Sequence, residues 1–278
     1  MAQLGKINRM TVVKIRDFGV YLDAGKLGEV LLPNRVVPKG CKEGDEVEAI
    51  IYLDSDDKLI ASTLTPFAQV GECACLNVVS TGPVGAFLDW GLPKDLLVPF
   101  NEQQTPLKEG QSVVCFLYLD NTNRIAASSK LNRHLNKSSP KYDKHQEVDL
   151  LIADKTDLGV KAVINNRHWG LIFKDELFKP VRYGQRIKGY IKQVRGDGKI
   201  DLHLQQPGYG ALDALSSQIL AHLDSNQGFA PLTDKSPADE ISRLFGVSKR
   251  KFKMAIGGLY KNKLIVIEDA GIRRVSDK

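Results

Sequence analysis

The sequence predicts a multidomain chain, mainly β and then α+β: three tandem five-stranded barrels followed by a small domain of three helices and a hairpin. Three observations predict it. Residues 1–130 carry one pattern twice at an offset of 66, with Gly19 recurring as Gly85, Leu32-Pro33 as Val98-Pro99, Gly44 as Gly110 and Tyr52-Leu53-Asp54 as Tyr118-Leu119-Asp120. A worn third copy follows at an offset of 74, where Gly159, Leu171-Ile172, Gly184 and Ile187 replace Gly85, Leu97-Val98, Gly110 and Val113. After Gln205 the apolar period changes to that of a helix. Each copy is long enough to bury a core of its own and is read as one domain. The expected domains are residues 1–66, 67–134, 147–206 and 211–278, with 135–146 as a linker.

In the first copy, Val12-Val13-Lys14-Ile15 leads to a turn at Asp17-Phe18-Gly19, and Val20-Tyr21-Leu22 leaves it. Val30-Leu31-Leu32-Pro33 forms the third strand. Val47, Ala49, Ile51 and Leu53 alternate with Glu48 and Tyr52, the pattern of a strand with one buried face. Asp54-Ser55-Asp56-Asp57 turns the chain into a closing strand at 59–64. Its counterpart Asp120-Asn121-Thr122-Asn123 is equally good turn chemistry, so neither is read as a metal site. Short strands punctuated by glycines fit a small Greek-key barrel of the oligonucleotide-binding (OB) type. In the third copy the strands are expected at 148–153, 159–164, 168–173, 187–194 and 199–204.

Gln205-Gln206-Pro207-Gly208-Tyr209-Gly210 reads as a linker. Leu212, Leu215, Ile219 and Leu223 share one face of a first helix. Ser236-Pro237 supplies a cap and first-turn proline for a second, assisted by Asp239, with Ile241, Leu244 and Phe245 buried. Gly246-Val247 makes a tight turn, Ser248 caps a third helix, and Phe252, Ile256 and Leu259 form its apolar stripe. Strands at 264–267 and 272–275 enclose the turn Glu268-Asp269-Ala270-Gly271. Three helices and a hairpin in this order look like a winged-helix domain.

The apolar and charged fractions, 42% and 26%, are those of an ordinary soluble chain. No apolar run approaches the roughly 18 residues of a membrane span, and the N-terminus has no signal-sequence pattern. A cytoplasmic protein with no membrane partner is expected. Cys41, Cys73, Cys75 and Cys115 contain no Cys-x-x-Cys pair, so reduced, packed thiols are expected, with no metal and no cofactor. The net charge of +6 is uneven: residues 1–130 hold 13 Lys and Arg against 16 Asp and Glu, and residues 131–278 hold 26 against 17. A polyanion would therefore prefer the second half.

The runs Arg16-Asp17-Phe18-Gly19-Val20-Tyr21-Leu22, Gly28-Glu29-Val30-Leu31-Leu32-Pro33 and Glu43-Gly44-Asp45 resemble the ribosomal S1-type RNA-binding domain. The resemblance implies aromatics beside the glycine that stack on unpaired bases. Those positions are Phe18 and Tyr21 in copy one, Val84 and Phe87 in copy two, and Leu158 and Lys161 in copy three. Phe18, Tyr21 and Phe87 are thus candidate stacking residues, with packing on the barrel as the alternative for Phe18 and Tyr21. The family's usual histidine in the third strand is absent: Leu32, Val98 and Ile172 occupy that region.

Copy three reverses the balance of rings and charge. Lys188, Tyr190 and Lys192 share one strand face by alternation, with Arg195 and Lys199 beyond them. A basic face holding an aromatic suits single-stranded nucleic acid. Trp169 either stacks a base or packs between domains. Lys249, Arg250, Lys251 and Lys253 crowd the start of the third helix, where the macrodipole is already positive and each cation costs about 0.3–1 kcal/mol unless an anion offsets it. Arg273 and Arg274 on the hairpin extend that patch. Gly257-Gly258 inside the helix costs about 2 kcal/mol against alanine.

The run from Ser236-Pro237 to Gly246-Val247-Ser248 resembles the helix-turn-helix of GntR-type regulators. Over the whole chain, three S1-like repeats before a winged helix resemble the conserved virulence factor B family of bacterial RNA-binding proteins. That resemblance implies post-transcriptional control and a basic surface shared by the third repeat and the winged helix. The expected function is a non-enzymatic regulator that binds RNA, single-stranded, through Lys188, Tyr190, Lys192, Arg195, Lys199, Lys249, Arg250, Lys253, Arg273 and Arg274. The alternative is a DNA-binding transcriptional regulator using the winged helix. A nuclease is disfavoured because no Ser-His-Asp, Cys-His or carboxylate constellation is present, and His134, His145, His168, His203 and His222 lie in unrelated contexts. A fragment of residues 143–278 is expected to keep most of the binding.

Overall fold

The computed structural model describes residues 1–137, 139–177, 180–204 and 214–275. Barrel one comprises β1 (Ile7–Arg16), β2 (Gly19–Asp23), β3 (Glu29–Pro33), β4 (Glu46–Leu53) and β5 (Leu59–Ser62). Barrel two comprises β6 (Cys73–Gly82), β7 (Gly85–Asp89), β8 (Leu96–Pro99), β9 (Ser112–Leu119) and β10 (Ile125–Ser128). Barrel three comprises β11 (Glu147–Thr156), β12 (Gly159–Ile164), β13 (His168–Phe173), β14 (Arg186–Val194) and β15 (Ile200–His203). All three close with one strand order, first-second-third-fifth-fourth, with the third and fifth strands parallel.

The repeat seen in sequence has local physical causes. The first strand of each barrel is bulged at the equivalent place, between Val12 and Lys14, Val78 and Ser80, and Ile152 and Asp154. A bulge bends the strand and increases its twist, as closure of so small a barrel requires. At Gly19, Gly85 and Gly159 a Cβ would lie 2.3, 2.2 and 2.0 Å from the carbonyl oxygens of Leu32, Val98 and Ile172. Only glycine permits that approach.

The barrels are joined by apolar contacts rather than strung apart. Ile50 and Tyr52, on the outer face of β4, enter the core cluster of barrel two, where Tyr52 meets Trp90 edge-on at 6.3 Å. The alternation in β4 therefore does not mark one buried face: Tyr52 is 4% exposed because the neighbouring barrel covers it. Cys73, Val114, Leu131, Leu135, Leu151, Ala153 and Val163 form a second buried cluster between barrels two and three. Within 135–146, Leu135 is buried, the Asn136 amide donates to the Arg167 carbonyl, and Tyr142 packs on barrel three with its hydroxyl 2.8 Å from His168 Nδ1. The segment is thus a packed strap with no helix or strand among its described residues. A fragment starting at 143 loses Tyr142 and uncovers Leu151, Ala153 and Val163, so it does not match a structural unit.

The remaining elements are α1 (Ala214–Ser225), β16 (Phe229–Ala230), α2 (Ala238–Phe245), α3 (Lys249–Lys261), β17 (Ile265–Glu268) and β18 (Gly271–Arg274), with sheet order β16-β18-β17. Leu215, Ile219, Leu223, Ile241, Phe252, Ile256 and Leu259 share their core; Leu212 lies outside the described residues. Ser248 caps α3 by accepting from the Lys251 amide, and Gly246, left-handed at φ 66°, ends α2. Two expectations fail. Pro237 stands at the N-cap of α2, leaving the Ser236 hydroxyl to accept from the Thr233 amide, and Leu244 is 46% exposed because it points away from that core. The two-residue β16 is too short for its period to be read. Among the described residues, no hydrogen bond, ion pair or apolar cluster joins 214–275 to the barrels. No described helix is long and apolar enough to cross a membrane.

Candidate nucleic-acid interface

Barrel three carries an aromatic and cationic groove on β12 and β13. Along β13, His168, Gly170 and Ile172 face inward, which turns Trp169, Leu171 and Phe173 outward. Lys161 of β12 lies opposite Leu171 in the ladder. These side chains, with Lys137, Leu158, Arg195 and Lys199, line a groove of about 870 Å³. The Lys161 ammonium sits 4.2 Å from the Trp169 ring centroid, and the Arg195 guanidinium 5.6 Å from that of Phe173. Lys137 has no carboxylate partner among the described residues. Trp169 resolves the alternatives left by sequence towards packing: it adjoins the cluster between barrels two and three, and its indole N–H donates to Asn132 Oδ1 at 2.8 Å. It still lines the groove.

Phe173 escaped the sequence reading, although a signal existed. The positions equivalent to Trp169 are Glu29 and Asp95, and those equivalent to Phe173 are Pro33 and Pro99. The aromatics lost from the second strand of this barrel reappear on the third strand, on the same outer face. Comparing copies strand by strand would have found them.

Of the basic residues expected on barrel three, Arg195 and Lys199 line the groove. Asp201, whose side chain is 3% exposed, grips Arg195 at 2.8 and 2.9 Å, and Lys199 pairs with Asp197 at 2.9 Å. Lys188, Tyr190 and Lys192 do share the outer face of β14, because Gly189 and Ile191 turn inward. That face is not a run of free charge. Lys188 lies 2.9 Å from Asp149 and 3.4 Å from Glu147, which also accepts from the Tyr190 hydroxyl at 3.2 Å. Lys192 lies 2.7 Å from Glu176, which holds His203 Nδ1 at 2.9 Å on its other oxygen. Burial alone would raise the Glu176 carboxyl, but hydrogen bonds from Lys192 and His203 outweigh it and hold the group below its ordinary range. The neutralising residues of Lys188 come from β11, far away in sequence and adjacent in the sheet.

On barrel one, Phe18 is 56% exposed and stands edge-on to Tyr21 at 6.2 Å, while Lys14 beside them is neutralised by Glu29 at 2.6 Å. Phe87 is half-buried at the equivalent place on barrel two. Neither platform adjoins the groove of barrel three. In the winged helix, Lys249 donates to the Lys235 carbonyl, Lys253 pairs with Asp234, Arg273 with Glu268 and over the Phe229 ring, and Arg274 with Asp224. Arg250 and Lys251 have no carboxylate partner among the described residues. Arg250, Met254, Gly257, Gly258 and Lys261 fall on the outward side of α3, opposite Phe252, Ala255, Ile256 and Leu259. Among the described residues nothing lies within 4 Å of where a Cβ would stand at Gly257 or Gly258, so no described element requires those glycines.

All four cysteines are free thiols, and among the described residues no group of three or more His, Cys, Asp or Glu could hold a metal ion. The chain matches the S1 domain family at residues 4–64 and 70–130 and the CvfB-like winged helix domain family at residues 217–273. It is 30% identical to YitL of Bacillus subtilis (strain 168) over 270 residues, covering 91% of this chain and 87% of that protein. It is 26% identical to conserved virulence factor B of Staphylococcus haemolyticus (strain JCSC1435), covering 99% and 98% of the two chains. A solved multidomain protein with nucleic acid binding domains from Streptococcus pneumoniae TIGR4 is 25% identical, with 98% of each chain covered and a TM-score of 0.42. Tandem S1 barrels followed by a winged helix define a nucleic-acid-binding protein. Within that class, the chain belongs to the conserved virulence factor B family.

Proposed function

We propose that this protein binds single-stranded RNA and acts in the cytoplasm as a post-transcriptional regulator, by binding rather than by turnover. The observation that carries the reading is the groove of barrel three, where Trp169 and Phe173 stand beside Lys137, Lys161 and Arg195. A ring at the groove surface accepts an unpaired base, and cations such as Lys137 and Lys161, which have no carboxylate partner among the described residues, neutralise phosphates. Lys199 extends the groove, and Arg250 and Lys251 on α3 offer a second phosphate contact. Arg195, Lys199, Lys188, Tyr190, Lys192, Lys253, Arg273 and Arg274 would each have to leave a carboxylate first, and Lys249 a carbonyl, so their contributions are smaller than those of Lys137 and Lys161. Phe18, Tyr21 and Phe87 make auxiliary stacking contacts.

Titration of the full chain with labelled single-stranded RNA, at several salt concentrations, tests this. Affinity should fall steeply with salt, and unlabelled duplex DNA should compete poorly. The outward face of α3 favours the second reading, because Arg250, Lys251 and two glycines with open space would admit a DNA groove. Efficient competition by duplex DNA would select it. Degradation of the labelled RNA in magnesium or manganese would contradict a role in binding alone.

A further inference from the structure

The cleft between barrels two and three, about 340 Å³, adjoins the groove and shares Lys161 and Trp169 with it. Leu131 and Ala153 form part of its apolar wall. Asp154 and Lys161 are cross-strand partners in the β11–β12 ladder, a placement that ordinarily yields an ion pair. Here the ammonium lies over Trp169 instead, and exposed Asp154 has no cation partner among the described residues. One of its oxygens accepts from the Lys155 amide at 2.8 Å, and both oxygens of this cleft-lining residue keep lone pairs for further donors. Asn132, in the same cleft, has its orientation set because Oδ1 accepts the Trp169 indole N–H. Its Nδ2 is thereby a donor of fixed sense.

We infer that this cleft holds one unpaired guanine of the strand lying in the groove, with Asp154 and Asn132 reading its Watson–Crick edge. The inference rests on the RNA-binding reading above. Guanine presents two adjacent donors, N1–H and N2–H, beside one acceptor, O6. A carboxylate accepts from the donors and the Asn132 amide donates to the oxygen. Guanine alone pairs both carboxylate oxygens: adenine and cytosine offer one exocyclic amine beside a ring-nitrogen acceptor, and uracil one donor between two carbonyls, so against each of them one carboxylate oxygen faces an acceptor. A carboxylate facing an acceptor stays unpaired, and that loss is the source of discrimination.

Fluorescence anisotropy with the full chain tests this, using short labelled oligouridines that carry one central guanosine, adenosine, cytidine or inosine at matched salt. The guanosine strand should bind about tenfold more tightly than the adenosine or cytidine strand. Inosine, which lacks the N2 amino group, should fall between them. Asp154→Asn should erase the preference, and the loss of a negative charge across the ladder from Lys161 should strengthen binding of every strand, all-uridine RNA included, to a similar extent. Equal affinity for all strands, or a preference that survives Asp154→Asn, overturns the guanine site while the RNA reading stands. Binding to no strand overturns both. Free GMP that displaces the guanosine strand where AMP does not supports the site, whereas GMP binding by a chain that binds no strand overturns its assignment to RNA.

Discussion

At the residue scale, a cation serves a phosphate only to the extent that it is not already served. Lys188 sits between Asp149 and Glu147, and a phosphate must replace one of them, so little net affinity results. Phe173 lines the groove with the Arg195 guanidinium over its ring, and a ring has no carboxylate to leave. Phe173→Ala should therefore weaken single-stranded RNA binding by about 1–3 kcal/mol, whereas Lys188→Ala should change it far less. Anisotropy titrations of the two variants at matched salt check the ranking, and the reverse order would contradict it.

At the element scale, α3 carries a helix-weakening pair that its own domain does not need. Gly257 and Gly258 face open space, so Gly257→Ala and Gly258→Ala should each stabilise the winged helix by about 0.5–1 kcal/mol. Thermal melts followed by circular dichroism read this directly. Arg250 has no carboxylate to leave and stands in the first turn of the helix. Arg250→Ala should lower the slope of log affinity against log salt by about 0.7, the value for one phosphate contact on a single strand. A salt series on that variant gives the slope, and an unchanged slope removes Arg250 from the interface.

At the scale of the whole molecule, the junction of barrels two and three is both a structural seam and a titratable one. His134 lies between Phe116, stacked at 4.6 Å, and Tyr118 at 5.1 Å, and its buried Nε2 has no hydrogen-bond partner. Burial lowers its pKa below the ordinary 6.5, and this outweighs the attraction of Glu102. The folded state therefore holds fewer protons than the unfolded chain. The stability contributed is present above pH 6.5 and is lost as pH falls through the lower folded value. Urea unfolding at pH 8 and pH 5 should show a decline that His134→Gln reduces. The seam also decides how the chain can be cut. A fragment of residues 143–278 should bind a hydrophobic dye, because Leu151, Ala153 and Val163 lose their cover, whereas the full chain should not.

Much of this molecule is written locally. Gly19, Gly85 and Gly159 mark places where a Cβ would strike the adjacent strand's carbonyl, and period-two runs outline barrels that need only their own strands to close. Short-range chemistry also specifies the αL glycine after α2 and the serine cap of α3. The sequence by itself thus determined the number, order and type of the domains. Tertiary structure alone decided which charges are free and which faces are covered, because those depend on residues far apart in the chain. Glu147 and Asp149 reach Lys188 only across a sheet, and Tyr52 is buried only because a second barrel lies against it. Trp169 and Asn132 meet only where barrels two and three touch. A strand pattern reports one barrel's inside and outside, and part of the outside of each barrel is covered by a neighbour.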